Sequence, residues 1–339
     1  MLRNNPGSSS GSRFEFIKRL NVDNGGMNAG IAVVRDRKNG KLCIEKRLDP
    51  DCIRTRLADM EIEALQQLDH PNVNRIIDVF VDYNLLQGSI FLEMCDGGSL
   101  DKLIGRHSVD GRSIGESQIW RWFIQLAKAV AYCHCGPSLN DREARSLWNA
   151  VYHRDIKPAN VFLSRIENGT QDGEVILKLG DFGCAISACL IENGVVDPRF
   201  ASRYTPEFAP PEAPLLNKKS DVYQVGGVMA CLCRLKQTWQ HFDKDQAAGE
   251  EYSSKLNMAI RYCMKSNYQE RIGAAALVKR LEKERREDVI ESMAENVVES
   301  VIESEIEDGV KSNEVEWVTV TMMEDAIEHS VADVVEISC

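Results

Sequence analysis

His153-Arg154-Asp155-Ile156-Lys157-Pro158-Ala159-Asn160 is the stretch whose reading decides the fold. It lies between a long segment with apolar residues at helical spacing, Ser117 to His134, and the β-like run Val161-Phe162-Leu163. Five fixed residue types at set spacing, each at about 5% usage, recur by chance in roughly one chain of this length in ten thousand. The bland alternative is a turn capped by Asp and Asn. Asp181-Phe182-Gly183 follows 26 residues after Asp155, behind the β-like run Val175-Ile176-Leu177-Lys178-Leu179. Between the two β-like runs, residues 166–173 read as an extended hairpin loop, an insertion that costs little in chain entropy.

Upstream, the runs Ile31 to Arg37 and Lys41 to Leu48 flank Asn39-Gly40, a hairpin signal. An amphipathic helix follows over roughly Arg56 to Leu68, with Met60, Leu65 and Leu68 among its apolar positions. From Leu100 onward the pattern is helical. The coarse picture is a small lobe of strands followed by a larger lobe of helices, without internal repeats.

The segment His153 to Asn160 resembles the catalytic loop of eukaryotic protein kinases, and further matches occur in that family's order. Leu42-Cys43-Ile44-Glu45-Lys46 is similar to the strand bearing the phosphate-binding lysine. Glu61 would be its partner on the helix, with Glu63 the rival two residues away. Ile90 to Cys95 resembles the hinge that binds adenine, with Leu92 as gatekeeper and Glu93 and Cys95 as contacts. Thr205 to Glu212 resembles the substrate-docking loop, Lys219 to Tyr223 the start of a buried helix, and Arg271 the buried partner of Glu212. The resemblance implies an α+β, bilobal fold with ATP and Mg²⁺ as cofactors. It makes Asp155 the group that orients the substrate hydroxyl and accepts its proton, and Lys157 the cation near the transferred phosphate. Asn160 and Asp181 become the metal ligands, and Lys46 with Glu61 the holder of the phosphates. Lys157 and Thr205-Pro206 point to the serine/threonine branch, and the stretch from hinge to metal triplet is most similar to the never-in-mitosis (NIMA)-related kinases.

The phosphate-covering loop departs from the pattern. Where the family carries three spaced glycines, this chain has Asn24, Gly26 and Ala29, with Gly25 and Gly30 each one residue from a missing position. The expected nucleotide contacts here are Val22, Gly25, Gly26, Gly30 and Ile31. Tyr204 stands where relatives usually carry Gly. Ser187 and Ser202 are expected phosphorylation sites, with Arg154 placed to receive a phosphate on Ser202; a segment ordered without modification is the alternative.

Composition sets the bounds around this. The 339 residues are 43% hydrophobic and carry 23 Gly and 10 Pro, which excludes collagen-like and wholly disordered chains. Eleven Cys are too dilute for a disulfide scaffold, so an intracellular place, cytoplasm or nucleus, is expected. Cys133-His134-Cys135 and Cys231-Leu232-Cys233 lack the spacing of a zinc knuckle and read as small buried hydrophobes. Cys184 reads as an accessible thiol near the nucleotide. No run approaches about 18 apolar residues, so no membrane partner is expected. The net charge of −11 is uneven: residues 288–339 hold fifteen acids and one Lys, a net of −14, which leaves +3 for residues 1–287. Polyphosphate binding by the body is therefore not excluded.

The expected organisation is a disordered lead-in over 1–13, a kinase domain over 14–286 (small lobe 14–92, large lobe 97–286) and an acidic tail over 287–339. In the tail, Glu287, Glu291, Glu295, Glu299, Glu303 and Glu307 recur every four residues beside a short apolar stripe, Ile290, Met293, Val297 and Val301. Three readings stay open for it: a marginal helix, a helix for an unidentified partner, or docking on the body. The function expected is transfer of the ATP γ-phosphate to Ser or Thr of protein substrates, with no nucleic-acid partner. The alternatives are a nucleotide-binding scaffold without turnover and an interaction protein working through its tail.

Overall fold

The computed structural model describes residues 13–20, 28–137, 143, 147–165, 175–194, 203–239, 242–243 and 245–287. The chain divides into two units, Met1–Val278 and Lys279–Cys339. Of the second, residues 279–287 are described; they are helical and carry the i,i+4 pair Arg280–Glu284 at 2.8 Å.

The first unit opens with a five-stranded antiparallel sheet in the order β1-β2-β3-β5-β4. Its strands are β1 (Phe14–Leu20), β2 (Asn28–Asp36), β3 (Leu42–Leu48), β4 (Ile76–Asp82) and β5 (Gln87–Glu93). The β2–β3 hairpin turns where the Asn39-Gly40 signal placed it: Gly40 takes φ +72, Asn39 Oδ1 accepts from the Lys41 N–H, and Asp36 Oδ1 accepts from the Lys38 N–H. Alternation along these strands gives the sheet two faces. One gathers Val34, Cys43 and Phe91 under Phe14 and Ile77, with the Phe14 and Phe91 rings stacked at 3.9 Å. The other carries Lys46.

Between β3 and β4 run α1 (Pro50–Arg54) and α2 (Leu57–Gln67). In α2 the buried positions include Ala58, Glu61, Ile62 and Leu65, a helical face with one carboxylate among apolar residues. Glu63 lies on the exposed side.

The remainder is mostly helical: α3 (Leu100–Asp110), α4 (Glu116–Cys135), α5 (Ala188–Glu192), α6 (Lys218–Arg234) and α7 (Ser254–Cys263). Two small sheets accompany them. One joins β6 (Gly98–Ser99), β8 (Val161–Arg165) and β9 (Val175–Leu179); the other joins β7 (Val151–Tyr152) and β10 (Ile186–Ser187). Helix α6 begins with a capping box formed by Asn217 and Ser220, then is buried from Ser220 to Cys233. Gly226 and Gly227 permit this depth, since a Cβ there would lie 2.6 Å from the Cys263 Cβ and 2.4 Å from the Trp239 ring. Cys231 and Cys233 are both buried, as small hydrophobes, because α6 is enclosed on every side. Cys133 is buried in α4 and Cys135 only partly so. Among the described residues, no helix is long and apolar enough to cross a membrane.

Candidate active site

Lys46 on β3 brings three distant segments together. Its Nζ lies 2.6 Å from Glu61 Oε1 on α2 and 2.7 Å from Asp181 Oδ1, two residues beyond β9. Burial works against the lysine charge, but Asp181 and Glu61 overcome it and raise its pKa. Lys46 lowers the Asp181 carboxyl to about 2. Glu61 moves the other way: burial pushes its carboxyl up, and Lys46 only partly compensates. The side chain of Asp181 is 44% exposed, against 7% for Lys46 and 2% for Glu61, so of the three it is Asp181 that reaches solvent. Its φ of +57 is a left-handed conformation that an L-residue adopts at a cost, and neighbouring bonds hold it. His153 Nδ1 accepts from the Asp155 N–H, so His153 Nε2 carries the proton and donates to Gly180 O at 3.0 Å. The buried ring of Phe182 meets the His153 ring edge-on at 4.7 Å.

The turn containing Asp155 rests on α6. Asp221, fully buried, accepts from the N–H groups of His153 and Arg154 at 2.9 and 2.7 Å, and lies 2.8 Å from His134 Nε2. Gln224, one helical turn on, accepts from the Ile156 N–H and donates to the carbonyls of Arg154 and Phe208. These bonds support Arg154 in its left-handed conformation, φ +67. The Asp155 carboxylate is fixed from three sides: Lys157 Nζ at 2.9 Å, Asn160 Nδ2 at 3.2 Å and the Thr205 N–H at 2.9 Å. Lys157 Nζ also reaches Thr205 Oγ1 at 2.5 Å. Asn160 donates from Nδ2 to the Asp155 carbonyl as well, which turns its amide oxygen away from that residue.

Oxygen donors of this kind suit Mg²⁺, a hard cation, and the ammonium of Lys46 suits phosphate oxygens. The residues present therefore fit the groups implied for them. Ile31 pairs with Lys46, and Gly30 (φ +135) has open space where a Cβ would stand, so the start of β2 can accept close approach by a ligand. Val22, Gly25 and Gly26 lie outside the described residues, as do Ser202 and residues 288–339 of the tail. Leu92 is buried opposite Ile44. The Glu93 carboxylate is occupied by the Arg75 N–H and by Lys178 Nζ, each at 2.8 Å. Burial pushes the half-buried Cys95 and Cys184 thiols up to about 12, so Cys184 is neutral at physiological pH rather than a reactive thiolate. Its carbonyl accepts from Arg154 Nε at 2.8 Å. Glu212 and Arg271 form the expected pair, with Oε1 to NH1 at 2.7 Å and Oε2 to NH2 at 2.9 Å.

Sequence reading passed over Gln224, the Lys178–Glu93 pair and Asn149. For Gln224 a signal existed: it lies three residues after Asp221, on the same helix face. The other two depend on pairings 85 and 82 residues apart in sequence, which no local pattern announces.

A five-stranded sheet before a mostly helical region, with a buried lysine–carboxylate pair and a braced Asp-containing turn, defines a protein kinase fold. The protein kinase domain family matches residues 25–304, and the chain belongs to that family. It is similar to the serine/threonine-protein kinase Nek2 of Homo sapiens, with 30% identity over 268 residues, 74% of this chain and 55% of the relative. It is also similar to Nek3 of Mus musculus, 32% identical over 67% of this chain and 41% of the relative. A third relative, the G2-specific protein kinase fin1 of Schizosaccharomyces pombe, is 28% identical over 75% of this chain and 37% of its own length. The chain thus spans about half the length, or less, of these relatives.

Proposed function

We propose that the chain transfers the γ-phosphoryl group of ATP to Ser or Thr hydroxyls of protein substrates, through a domain covering residues 14–286. The observation that carries this reading is the Asp155 carboxylate held by Lys157, Asn160 and the Thr205 N–H, with Lys157 bridging to the Thr205 hydroxyl. Such a carboxylate is oriented before substrate arrives, so little of the barrier is spent on ordering it. In the transfer, the substrate oxygen forms a bond to phosphorus as the bond to the ADP oxygen breaks, and the hydroxyl proton passes to Asp155. Lys157 offsets charge on the moving phosphoryl group, and Lys46, held by Glu61, places the α- and β-phosphates. Asn160 and Asp181 would hold Mg²⁺, which when bound neutralises charge on the phosphate oxygens. Glu93 and Cys95 would flank adenine, and Val22, Gly25, Gly26, Gly30 and Ile31 would cover the phosphates.

The test compares the full chain with its Asp155→Asn form, in Mg²⁺ and labelled ATP with a generic Ser/Thr protein substrate. Proton acceptance by a positioned side chain contributes about 10²- to 10⁴-fold, so transfer should fall by at least about a hundredfold in the variant. Equal transfer by both forms would remove Asp155 from the reaction. Nucleotide binding without transfer, even after treatment with an activating kinase, would favour a scaffold that binds ATP and does not turn it over.

A further inference from the structure

Between α4 and the turn that carries Asp155 lies Trp148-Asn149-Ala150, which the proposed reaction does not use. Trp148 seats this stretch on the end of α4. Its Nε1 donates to Cys133 O at 3.0 Å and its ring meets the Tyr132 ring edge-on at 5.4 Å. Gly136, at φ +78, leaves the room, since a Cβ there would lie 2.8 Å from the Trp148 ring. From that seat Asn149 bonds to two other segments. Its carbonyl accepts from Gln67 Nε2 at 2.7 Å, and Gln67 is the last residue of α2, the helix that carries Glu61. Its Oδ1 accepts from the Cys189 N–H at 3.1 Å, in α5. The neighbouring Ala150 carbonyl accepts from the Ala188 N–H at 2.7 Å, and the Ser187–Val151 pair continues the seam into β7 and β10.

We propose that Asn149 is a positioning residue that couples α2 to the segment 186–192, so that order in that segment helps hold Glu61 against Lys46. The coupling follows from the arrangement. One residue, immobilised by its neighbour, bonds the end of α2 through its backbone and the start of α5 through its side chain. Freedom gained at either end is then felt at the other. The Asp69 N–H, two residues beyond α2, bonds Tyr132 Oη on α4 at 3.3 Å without involving 186–192, and α2 also packs directly against β10, so Asn149 supplies the hydrogen-bonded part of the link. What the coupling means for catalysis rests on the phosphotransfer reading; the coupling itself does not.

Amide hydrogen exchange in the full-length chain, read by mass spectrometry over 57–67 and 186–192, tests the inference without reference to activity. Asn149→Ala should speed exchange in both segments, by about three- to tenfold in 57–67, the range one net hydrogen bond controls. Asn149→Asp keeps an acceptor oxygen and should return both segments toward wild type. Gln67→Leu, cut at the other end, should speed exchange over 186–192 as well as 57–67. Affinity for Mg·ADP should fall by a similar factor in Asn149→Ala and recover in Asn149→Asp. Faster exchange confined to 186–192 in Asn149→Ala, with 57–67 and Mg·ADP affinity unchanged, would overturn the proposal. If Asn149→Ala does not fold, Gln67→Leu decides alone, and unchanged exchange over 186–192 counts against coupling. A wild-type chain that transfers no phosphate would sink the phosphotransfer reading and leave the exchange result standing.

Discussion

At the scale of single residues, the site is organised by paying the desolvation of a few ions and satisfying each of them locally. Lys46 is the plainest case, since it is buried with one carboxylate fully enclosed and another facing solvent. Removing one member of a buried ion pair commonly costs about 3–5 kcal/mol, because the survivor stays buried and charged. Lys46→Met should therefore lower thermal stability clearly, and adding Glu61→Leu should recover much of the loss. A double variant no more stable than the single one would contradict the assignment of the cost to Glu61. The pKa directions set the pH window for Lys46 and Asp181. Lys46 is raised, so its stabilisation holds below the ordinary lysine value of about 10.4 and is lost as pH rises through the raised value. Asp181 is lowered, so its share holds above the ordinary value of about 3.9 and is lost as pH falls through about 2. The melting temperature of the nucleotide-free chain between pH 5 and 9 should thus show no step from the Lys46–Asp181 contact, and a step abolished by Asp181→Asn would show otherwise.

At the scale of elements, the large helical region is built around α6, and the bonds from its first turns fix both the Asp155 turn and the loop from Thr205 to Glu212. Arg271 anchors that loop from beneath: its guanidinium is fully buried, grips both oxygens of Glu212, donates to the carbonyls of Lys219 and Lys265, and lies 4.8 Å from the Tyr223 ring centroid. Arg271→Ala should cost about 3–5 kcal/mol in urea unfolding, and Arg271→Lys should recover only part, since an ammonium cannot make the two-pronged contact. Full recovery by lysine would mean that charge alone matters there. Much of this was legible in sequence. The family order put Glu61 ahead of its rival Glu63, and the structure places Glu61 at 2.6 Å from Lys46 with Glu63 exposed; Asp221 and Arg271 came from the same family order rather than from helix periodicity. Helix α5 was not legible: Ala188 to Glu192 is too short for a periodic signal, and its placement depends on Asn149 and Ala150, about 40 residues earlier. The Lys178–Glu93 pair was hidden for the same reason, a surface-type residue on a strand being no evidence of its partner.

At the scale of the whole molecule, charge is partitioned: residues 1–287 carry a net +3 and residues 288–339 a net −14, so the low pI of about 5.2 describes the tail more than the body. Acid sensitivity of the first unit should accordingly follow individual buried groups rather than the overall charge. His70 is the group to watch, lying where the chain leaves α2 for β4. Its Nδ1 accepts from the Asn72 N–H at 3.1 Å and its ring lies 5.0 Å from that of Tyr132 on α4. Burial lowers its pKa to about 4, with the positive charges of Lys128 and Lys178 adding to the effect and Asp69 opposing it. An unfolded chain would protonate this histidine near 6.5, so between about 6.5 and 4 the unfolded state binds a proton that the folded state refuses. Stability must therefore fall as pH drops through that interval, and the lowered carboxylates of Glu212, Asp221 and Asp181 add their own losses from its acid end downward. His70→Asn keeps an acceptor for the Asn72 N–H and removes the titration, and it should flatten the decline in melting temperature between pH 6.5 and 4 while leaving the steeper loss below it. The same slope in the variant would assign the acid response to other groups and count against His70 being held neutral at this junction.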